Sequence, residues 1–255
     1  MQRPRPIRPG GAGARRLLLL GVPLLAAGCA SATHSAAPPP STAATTTAGR
    51  VVSTHAGESI VATAITREVP IYRTPSARNP FLHLANPTAA RGPLTFLVRG
   101  RRPGWERVYL PLRPDGSTGW TPDRYLRLAW NPYSLRVRLH ARQLVLMEGA
   151  HVVARFPAAV GRSVLPTPTG RYYIVELLRQ PDPNGPYGPF AFGLSAYSHV
   201  LYSFGGGPGQ IGIHGTNERN SIGHNASHGC IRIPNNDIVR LARTLPLGTP
   251  VTIGA

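Results

Sequence analysis

The sequence predicts a mainly β protein, in which a small β-barrel domain is followed by a β-rich, sandwich-like domain with one packed helix. Short runs of β-branched and aromatic residues recur between Pro, Gly and Asn, a spacing typical of short strands joined by turns. From residue 135 to residue 142, apolar residues alternate with arginine or histidine, which is the period of a half-buried strand. A clear helical spacing runs from Ile238 to Leu245.

The first 28 residues have the pattern of a secretory signal peptide. Arginines within residues 3–16 precede an apolar run, 17–27, that is too short to span a bilayer. Residues 25–29 resemble a lipobox, although Ala26 stands where leucine is usual. We therefore expect Cys29 to be lipidated; the alternative is ordinary secretion with cleavage near Ala30.

Residues 29–50 consist largely of Ala, Ser, Thr and Pro, which cannot bury a core and which predict a flexible, lipidated tether. The lipid on Cys29 would hold the protein to a membrane. We expect an exported protein on the outer face of the cytoplasmic membrane, or in the periplasm or cell wall.

The chain carries a formal net charge of +18, and all 28 of its basic residues are arginine. Such a charge suits an anionic polymer or membrane face. Nucleic acid is the alternative partner, but the arginines are scattered and no nucleic-acid motif occurs, so we predict none. The chain has two cysteines. If Cys29 is lipidated, Cys230 is an unpaired thiol in an oxidising compartment, which favours a reactive role.

Residues 51–130 are predicted to form the small barrel. The turn at 113–117, Arg-Pro-Asp-Gly-Ser, is a strong hairpin signal, because Pro fixes one dihedral and Gly permits a positive one. The pattern Trp105-Glu106-Arg107-Val108 with Gly119-Trp120-Thr121 loosely resembles the Src-homology-3-type barrels of bacterial wall enzymes. Such a barrel would either grip glycan or peptide or serve as a spacer. The predicted strands lie at 59–66, 94–99, 105–110 and 119–120.

Residues 131–255 are predicted to form the second domain. A hairpin is expected at 148–150, between strands at 144–147 and 151–156. Asn236 is a plausible N-cap for the helix, and Gly248 and Pro250 follow its end. Further strands are expected at 172–177, 210–214 and 251–253.

The chemistry is concentrated in two segments, Ile213-His214-Gly215-Thr216 and residues 227–235, Ser-His-Gly-Cys-Ile-Arg-Ile-Pro-Asn. A cysteine attacks a carbonyl as its thiolate, and a nearby imidazole can take the proton. Glycine beside the cysteine lets a substrate backbone approach closely and frees N–H groups for an oxyanion. Cys230 and His214 are residue types that suit such a reaction, but a Cys–His pair is weak evidence when it stands alone.

These segments are similar to the signature of the YkuD-type L,D-transpeptidases, His-Gly-Thr followed by Ser-His-Gly-Cys-x-Arg-x-x-Asn. Together, the resembling stretches extend over nearly all of residues 131–255. The further stretches that resemble the family lie at 167–172, 205–206 and 247–251.

The resemblance implies a mechanism on peptidoglycan. Cys230 would attack the carbonyl of the third residue of a tetrapeptide stem, release D-alanine and pass the acyl group to an amine on a neighbouring stem, usually of diaminopimelate. His214 would be the general base, oriented by the carbonyl of Gly215. Backbone N–H groups near Gly229 and Cys230 would bind the oxyanion.

The resemblance also implies roles for the residues around this pair. His228 would order the catalytic loop, Arg232 would meet a carboxylate, and Asn235 would pin the turn. Apart from the resemblance, we expect Ser227 to form hydrogen bonds in the loop, and Tyr202 either to line the donor cleft or to have a packing role. The family implies no cofactor or metal, and implies acylation by carbapenem-type inhibitors.

Three alternatives stay open at this point. Zinc could be held by His214, His224, His228 and Cys230, although their spacing fits no standard zinc pattern. A wall-binding lipoprotein without catalysis would also use the charge, the tether and the barrel. Within the family, water or a D-amino acid in place of the acceptor amine would give an L,D-carboxypeptidase or an exchange enzyme.

Overall fold

The computed structural model describes residues 57–204 and 206–255. The predicted signal peptide, the lipidation of Cys29 and the tether lie outside the described residues, and so does Gly205. Among the residues that are described, no helix is both long and apolar enough to cross a bilayer.

The first region, residues 57–131, contains seven strands and a short 3-10 helix at Asp123–Tyr125. The predicted strands at 59–66, 94–99, 105–110 and 119–120 are confirmed within a few residues. The strands are β1 (Ser59–Ala64), β2 (Glu68–Ile71), β3 (Leu82–Ala85), β4 (Thr95–Arg102), β5 (Trp105–Tyr109), β6 (Thr118–Pro122) and β7 (Leu126–Asn131).

Five of these strands form an antiparallel sheet in the order β6-β5-β4-β1-β7, and β2 pairs with β3. The predicted turn at 113–117 joins β5 to β6 as a hairpin. A small core that includes Val69, Ile71, Phe96 and Val108 lies against this sheet. The Src-homology-3-type class of the region and its boundary at residue 130 stay predictions.

The second region begins at β8 and contains ten strands, one α-helix and a 3-10 turn at Arg219–Ser221. The strands are β8 (Tyr133–Arg138), β9 (Gln143–Glu148), β10 (His151–Pro157), β11 (Val160–Gly161), β12 (Gly170–Arg179), β13 (Phe190–Tyr197), β14 (Gln210–His214), β15 (Asn225–Ser227), β16 (Ile231–Arg232) and β17 (Pro250–Gly254), and the helix is α1 (Asn235–Thr244).

Eight strands of the second region form one mixed sheet in the order β10-β9-β8-β17-β12-β13-β14-β16. The alternation predicted for residues 135–142 is confirmed over 135–138, since Leu135 and Val137 are buried while Arg136 and Arg138 are exposed. It is wrong beyond Arg138, because residues 139–142 form the turn to β9. The predicted hairpin between β9 and β10 is also confirmed. Mainly β architecture with a single α-helix, as predicted, therefore describes the residues that the structure covers.

Helix α1 packs on this sheet through Ile238 and Leu241, which are fully buried. The predicted N-cap at Asn236 is wrong, because the helix begins at Asn235 and Pro234 occupies the cap position without a side-chain hydrogen bond. The side chain of Asn235 instead accepts a hydrogen bond from the backbone N–H of Thr216 at 2.8 Å. The start of the helix is thereby tied to the loop that follows β14.

The two regions share a polar and tightly packed contact. The Asn131 side chain, at the end of β7, donates to Thr249 Oγ1 at 2.9 Å, and the Tyr173 hydroxyl donates to the carbonyl of Tyr109 at 3.1 Å. Gly248 lies against Val61, so closely that a Cβ at this position would collide with the valine side chain. The first region is therefore packed directly onto the sheet that carries the predicted site.

Candidate active site

The parallel pairing of β14 with β16 brings the two predicted catalytic residues to one face of the sheet. Ile213 is paired with Ile231, and both side chains are fully buried in the core. Since successive side chains on a strand point to opposite faces, the neighbours His214 and Cys230 lie on the other face. The N–H of Gly212 donates to the sulfur of Cys230 at 3.4 Å, which fixes the thiol beside β14.

Cys230 and His214 line one cavity of about 210 Å³, as the prediction requires. Ser227, His228 and Arg232 line it as well. The other lining residues are Pro186, Tyr187 and Phe204. Five of the residues that line the cavity were predicted from the sequence. The aromatic rings of Tyr187 and Phe204, which were not predicted, also line it.

His214 is held in one tautomer and kept neutral. Its side chain is only 4% exposed, and Nδ1 lies 2.5 Å from the carbonyl oxygen of Gly215. A carbonyl can only accept, so Nδ1 carries the hydrogen and Nε2 is left as the acceptor. Burial lowers the pKa of His214 to about 4; the Gly215 hydrogen bond opposes this shift and the charge of Arg232 adds to it. The ring is therefore a neutral proton acceptor at neutral pH.

Cys230 rests as a thiol beside this neutral ring. Burial raises the pKa of the Cys230 thiol, while the hydrogen bond from Gly212 and the charge of Arg232 oppose the increase. With the thiol pKa raised and the imidazole pKa lowered, the neutral pair is the stable form. The proton would then move to Nε2 of His214 as sulfur attacks, rather than beforehand.

A network of hydrogen bonds within the loop before Cys230 fixes its shape. Ser227 Oγ donates to the carbonyl of Cys230 at 2.6 Å and accepts from the N–H of Gly229 at 3.0 Å. Gly229 has a φ of 122°, a conformation that L side chains rarely adopt, and its carbonyl accepts from Thr167 Oγ1 at 2.8 Å. The N–H of Gly229 is thus engaged by Ser227, and its role at an oxyanion stays a prediction.

The Arg232 guanidinium forms an ion pair with another residue of the protein, Glu218. Its Nη1 lies 2.6 Å from Glu218 Oε2, and its buried Nε has no hydrogen-bond partner among the described residues. Glu218 was not predicted; the available signal was an acidic residue two positions after His-Gly-Thr in a strongly basic chain. The largely buried charge of Arg232 is thereby paired with an exposed carboxylate.

The remaining predicted residues lie in different places. His228 stacks on Phe204, with ring centroids 5.3 Å apart, and Tyr187 meets the His214 ring at 4.8 Å. Asn235 lines a separate cavity of about 410 Å³, behind the loop that it pins. Tyr202 is 72% exposed and does not line the Cys230 cavity. Tyr187 and Phe204 were missed, since isolated aromatics between Pro and Gly carry no local signal.

The described residues contain no cluster of three or more His, Cys, Asp or Glu side chains arranged to hold a metal ion. In particular, Nδ1 of His214 is occupied by the Gly215 carbonyl.

Residues 132–253 match the family model of the L,D-transpeptidase catalytic domain, YkuD. The YkuD protein of Bacillus licheniformis, which is named as a candidate L,D-transpeptidase, is 41% identical over 122 residues. That match covers 48% of this chain and 66% of the relative, so this chain spans just under two thirds of the relative's length.

Among solved structures, an L,D-transpeptidase from Mycobacterium smegmatis is similar over 62% of this chain and 80% of its own, with 18% identity and a TM-score of 0.40. The L,D-transpeptidase LdtMt1, solved in complex with imipenem, is similar over 59% of this chain and 90% of its own, with 15% identity and a TM-score of 0.40. At these scores the structures add no argument to the sequence match. Residues 132–253, 48% of this chain, therefore resemble the L,D-transpeptidase catalytic domain, YkuD.

Proposed function

We propose that this protein is a peptidoglycan L,D-transpeptidase with Cys230 as its nucleophile. The observation that carries the proposal is a partly buried thiol in the same cavity as a neutral imidazole whose tautomer is fixed by Gly215. Such a pair is suited to acyl transfer, because the base accepts the thiol proton during attack and can return it to the leaving amine. The similarity of residues 132–253 to the L,D-transpeptidase catalytic domain supports the stem peptides of peptidoglycan as the proposed substrate class.

The proposed reaction has two halves. Sulfur of Cys230 forms a bond to the carbonyl carbon of the third stem residue, and its proton goes to Nε2 of His214. The bond to D-alanine then breaks, the amine leaves with the proton from His214, and a thioester remains. In the second half an acceptor amine gives a proton to Nε2 of His214 and forms a bond to the thioester carbon. The carbon–sulfur bond then breaks, His214 returns the proton to sulfur, and the new amide links the third residues of two stems.

The first test is product analysis with a disaccharide-tetrapeptide. We expect the full chain to release D-alanine and to form dimers linked at third residues, detected by mass spectrometry. Cys230→Ala should form none, because no thioester can be made, a loss of about 10⁴-fold or more. Cys29→Ala, which removes the only other cysteine, is the matched control and should keep full activity.

Other products would change the assignment. Tripeptide without dimers would make water the acceptor and the protein an L,D-carboxypeptidase, and an exchanged terminal residue would indicate D-amino-acid exchange. If neither a covalent adduct on Cys230 nor D-alanine appears, the protein binds the wall without catalysis. A carbapenem should add its mass to the intact protein at Cys230, as the resemblance to the L,D-transpeptidases implies.

For location, we propose export and a lipid anchor on Cys29. The arginine-rich start, the apolar run and the lipobox-like residues 25–29 support this proposal. The mass of the mature N-terminus tests it: a diacylated Cys29 supports the anchor, and an unmodified chain starting near Ala30 contradicts it.

A further inference from the structure

Three arginines lie in a line across one face of the eight-stranded sheet. Arg155 of β10 and Arg136 of β8 are both paired with Val145 of β9. Thr252 of β17 is paired with Arg136 on one side and with Arg171 of β12 on the other. Because paired residues of neighbouring strands project from the same face, Arg155, Arg136 and Arg171 form an arginine row, in which neighbours are two strand spacings, roughly 10 Å, apart.

The arginine row points away from the core of the second region. Leu135 and Val137, which flank Arg136 in the sequence, are buried in that core, and so is Tyr172 next to Arg171. Successive side chains on a strand point to opposite faces, and all three arginines of the row are exposed. The row is therefore open to a partner.

The charge of the row is not neutralised by the described residues. None of their carboxylates forms an ion pair with an arginine of the row, whereas Arg101 and Arg232 are each paired with a glutamate. Strands β8, β9, β10 and β17 contain one carboxylate, Glu148, whose position in β9 belongs to the opposite face. Arg138, exposed two residues beyond Arg136, adds a fourth positive charge to the face of the row.

The first region stands beside the row, on the same face of the sheet. Tyr173, two residues beyond Arg171, is fully buried and donates to the carbonyl of Tyr109 in the first region. At the other end of this border, Gly57 lies so close to Gly149, in the turn between β9 and β10, that a Cβ on Gly57 would collide with it. A flat bilayer therefore cannot lie on the row, whereas a single chain can lie along it.

Three guanidinium groups in a line suit an anion that repeats along a chain. Each guanidinium presents a planar fork of N–H groups that matches two oxygens of a phosphate. The positions between the arginines are occupied by Val145 and Thr252, so the row contains no aromatic ring on which a nucleic-acid base could stack. These features favour a phosphodiester chain that carries no bases.

We propose that the arginine row is a docking surface for a linear phosphodiester polymer without aromatic bases, which lies across the strands beside the first region. The row ends at β12, two strands away from β14, and none of its arginines lines the Cys230 cavity. The polymer is thus a partner in addition to the proposed substrate. Its binding would hold the protein to an anionic polymer and leave the cavity open.

The test measures binding of a synthetic chain of about six glycerol phosphate units, which is long enough to cover the roughly 20 Å of the row. The protein is the full chain carrying Cys29→Ala, so that no lipid is attached, and the measurement is calorimetry at low salt. Replacing all three arginines of the row with glutamine should weaken binding about tenfold, as the loss of three exposed ion pairs allows.

The matched control removes the same charge from exposed positions outside the row. It should change the affinity by about twofold or less, since charges far from the bound chain are screened. Equal midpoints of thermal unfolding show that both triple variants are folded. The control substitutions are Arg67→Gln between β1 and β2, Arg78→Gln between β2 and β3, and Arg179→Gln at the far end of β12.

A single position tests the line itself. Thr252 is exposed between Arg136 and Arg171, so Thr252→Glu places a carboxylate within the row and should weaken binding, while Thr252→Gln should not. Equal weakening by the two triple variants would reduce the effect to net charge and overturn the docking surface.

Two other ligands test the chemistry of the partner. Phosphatidylglycerol vesicles should bind the parent chain and the row variant alike, and a row-dependent affinity for vesicles would assign the row to a bilayer instead. An oligothymidylate with the same number of phosphates should bind more weakly than the glycerol phosphate chain. Row-dependent binding of the oligothymidylate that is as tight or tighter would contradict a partner without bases.

Discussion

The two regions of the described chain treat their buried ionisable groups in opposite ways. In the first region Glu106 is 1% exposed and receives three contacts of 2.8–3.0 Å from Arg101. In the second region His214 and Cys230 are kept neutral, and Glu176 lacks a cationic partner among the described residues. The Glu106 charge is satisfied within the protein by Arg101, whereas an unpaired or neutral group is available to a ligand. This difference in pairing indicates that the first region supports the fold, whereas the second region carries the candidate active site.

The largest expected effect that tests this comparison comes from His214→Ala. The loss of the general base should slow acylation of Cys230 by roughly 10²–10⁴-fold. The measurement is the rate of adduct formation, followed by the mass of the intact protein. His151→Ala is the matched control on an exposed position of β10 and should leave the rate unchanged. An unaltered acylation rate in His214→Ala would remove this residue from the mechanism.

The pH dependence of kcat/KM should show how far burial lowers the pKa of His214. The reaction needs the neutral imidazole, and a pKa lowered to about 4 keeps His214 neutral until the pH falls to that value. We expect kcat/KM to stay level between about pH 5 and 7 and to fall about tenfold per unit below pH 4. A fall in kcat/KM that begins near pH 6.5, the ordinary pKa of histidine, would show that burial does not lower the pKa of His214.

A smaller effect on the acylation rate is expected from Arg113→Ala. Arg113 lies in the turn of the first region that forms hydrogen bonds with the second region. The Arg113 guanidinium donates to the carbonyls of Ser198, Leu201 and Pro208 at 2.8–3.3 Å, in the loop that also carries Phe204. Loss of these bonds should reduce the free energy of unfolding by about 1–3 kcal/mol and speed hydrogen exchange in residues 198–209. The acylation rate should change less than tenfold, because Cys230 and His214 do not touch this turn.

The control for this variant is Arg107→Ala, since the Arg107 guanidinium donates to Thr118 Oγ1 within the first region. It should leave the exchange of residues 198–209 as in the parent chain. Equal protection of the loop in Arg113→Ala would mean that the first region does not hold it in place.

The strands that were predicted and those that were missed differ in burial. Strand β8 was predicted because one face is buried and the other exposed, so its sequence alternates. Strand β13 was missed because its residues 192–196 are all buried, and it follows a stretch rich in Pro and Gly that resembles a loop. Burial on both faces leaves no alternation for the sequence to display.

The candidate active site also contains residues that the sequence predicted and residues that it did not. Cys230, His214 and the glycines beside them form a local pattern that only a few residue types can satisfy, so the sequence identified them. Tyr187, Phe204 and Glu218 come from separate loops, and their relation to the cysteine exists only in the folded chain. Contacts between distant segments depend on sheet register, which no short window of sequence contains.

The sequence by itself determined the mainly β class, the family resemblance of the second region and the pairing of one thiol with one imidazole, because each is written in local spacing or in a fixed run of residues. Only the tertiary structure decided that Ser227 occupies the Gly229 N–H, that Glu218 pairs with Arg232, and that Tyr187 packs against the His214 ring. Those relations depend on strand pairing and burial, and burial sets both the pKa values and the space left for a substrate.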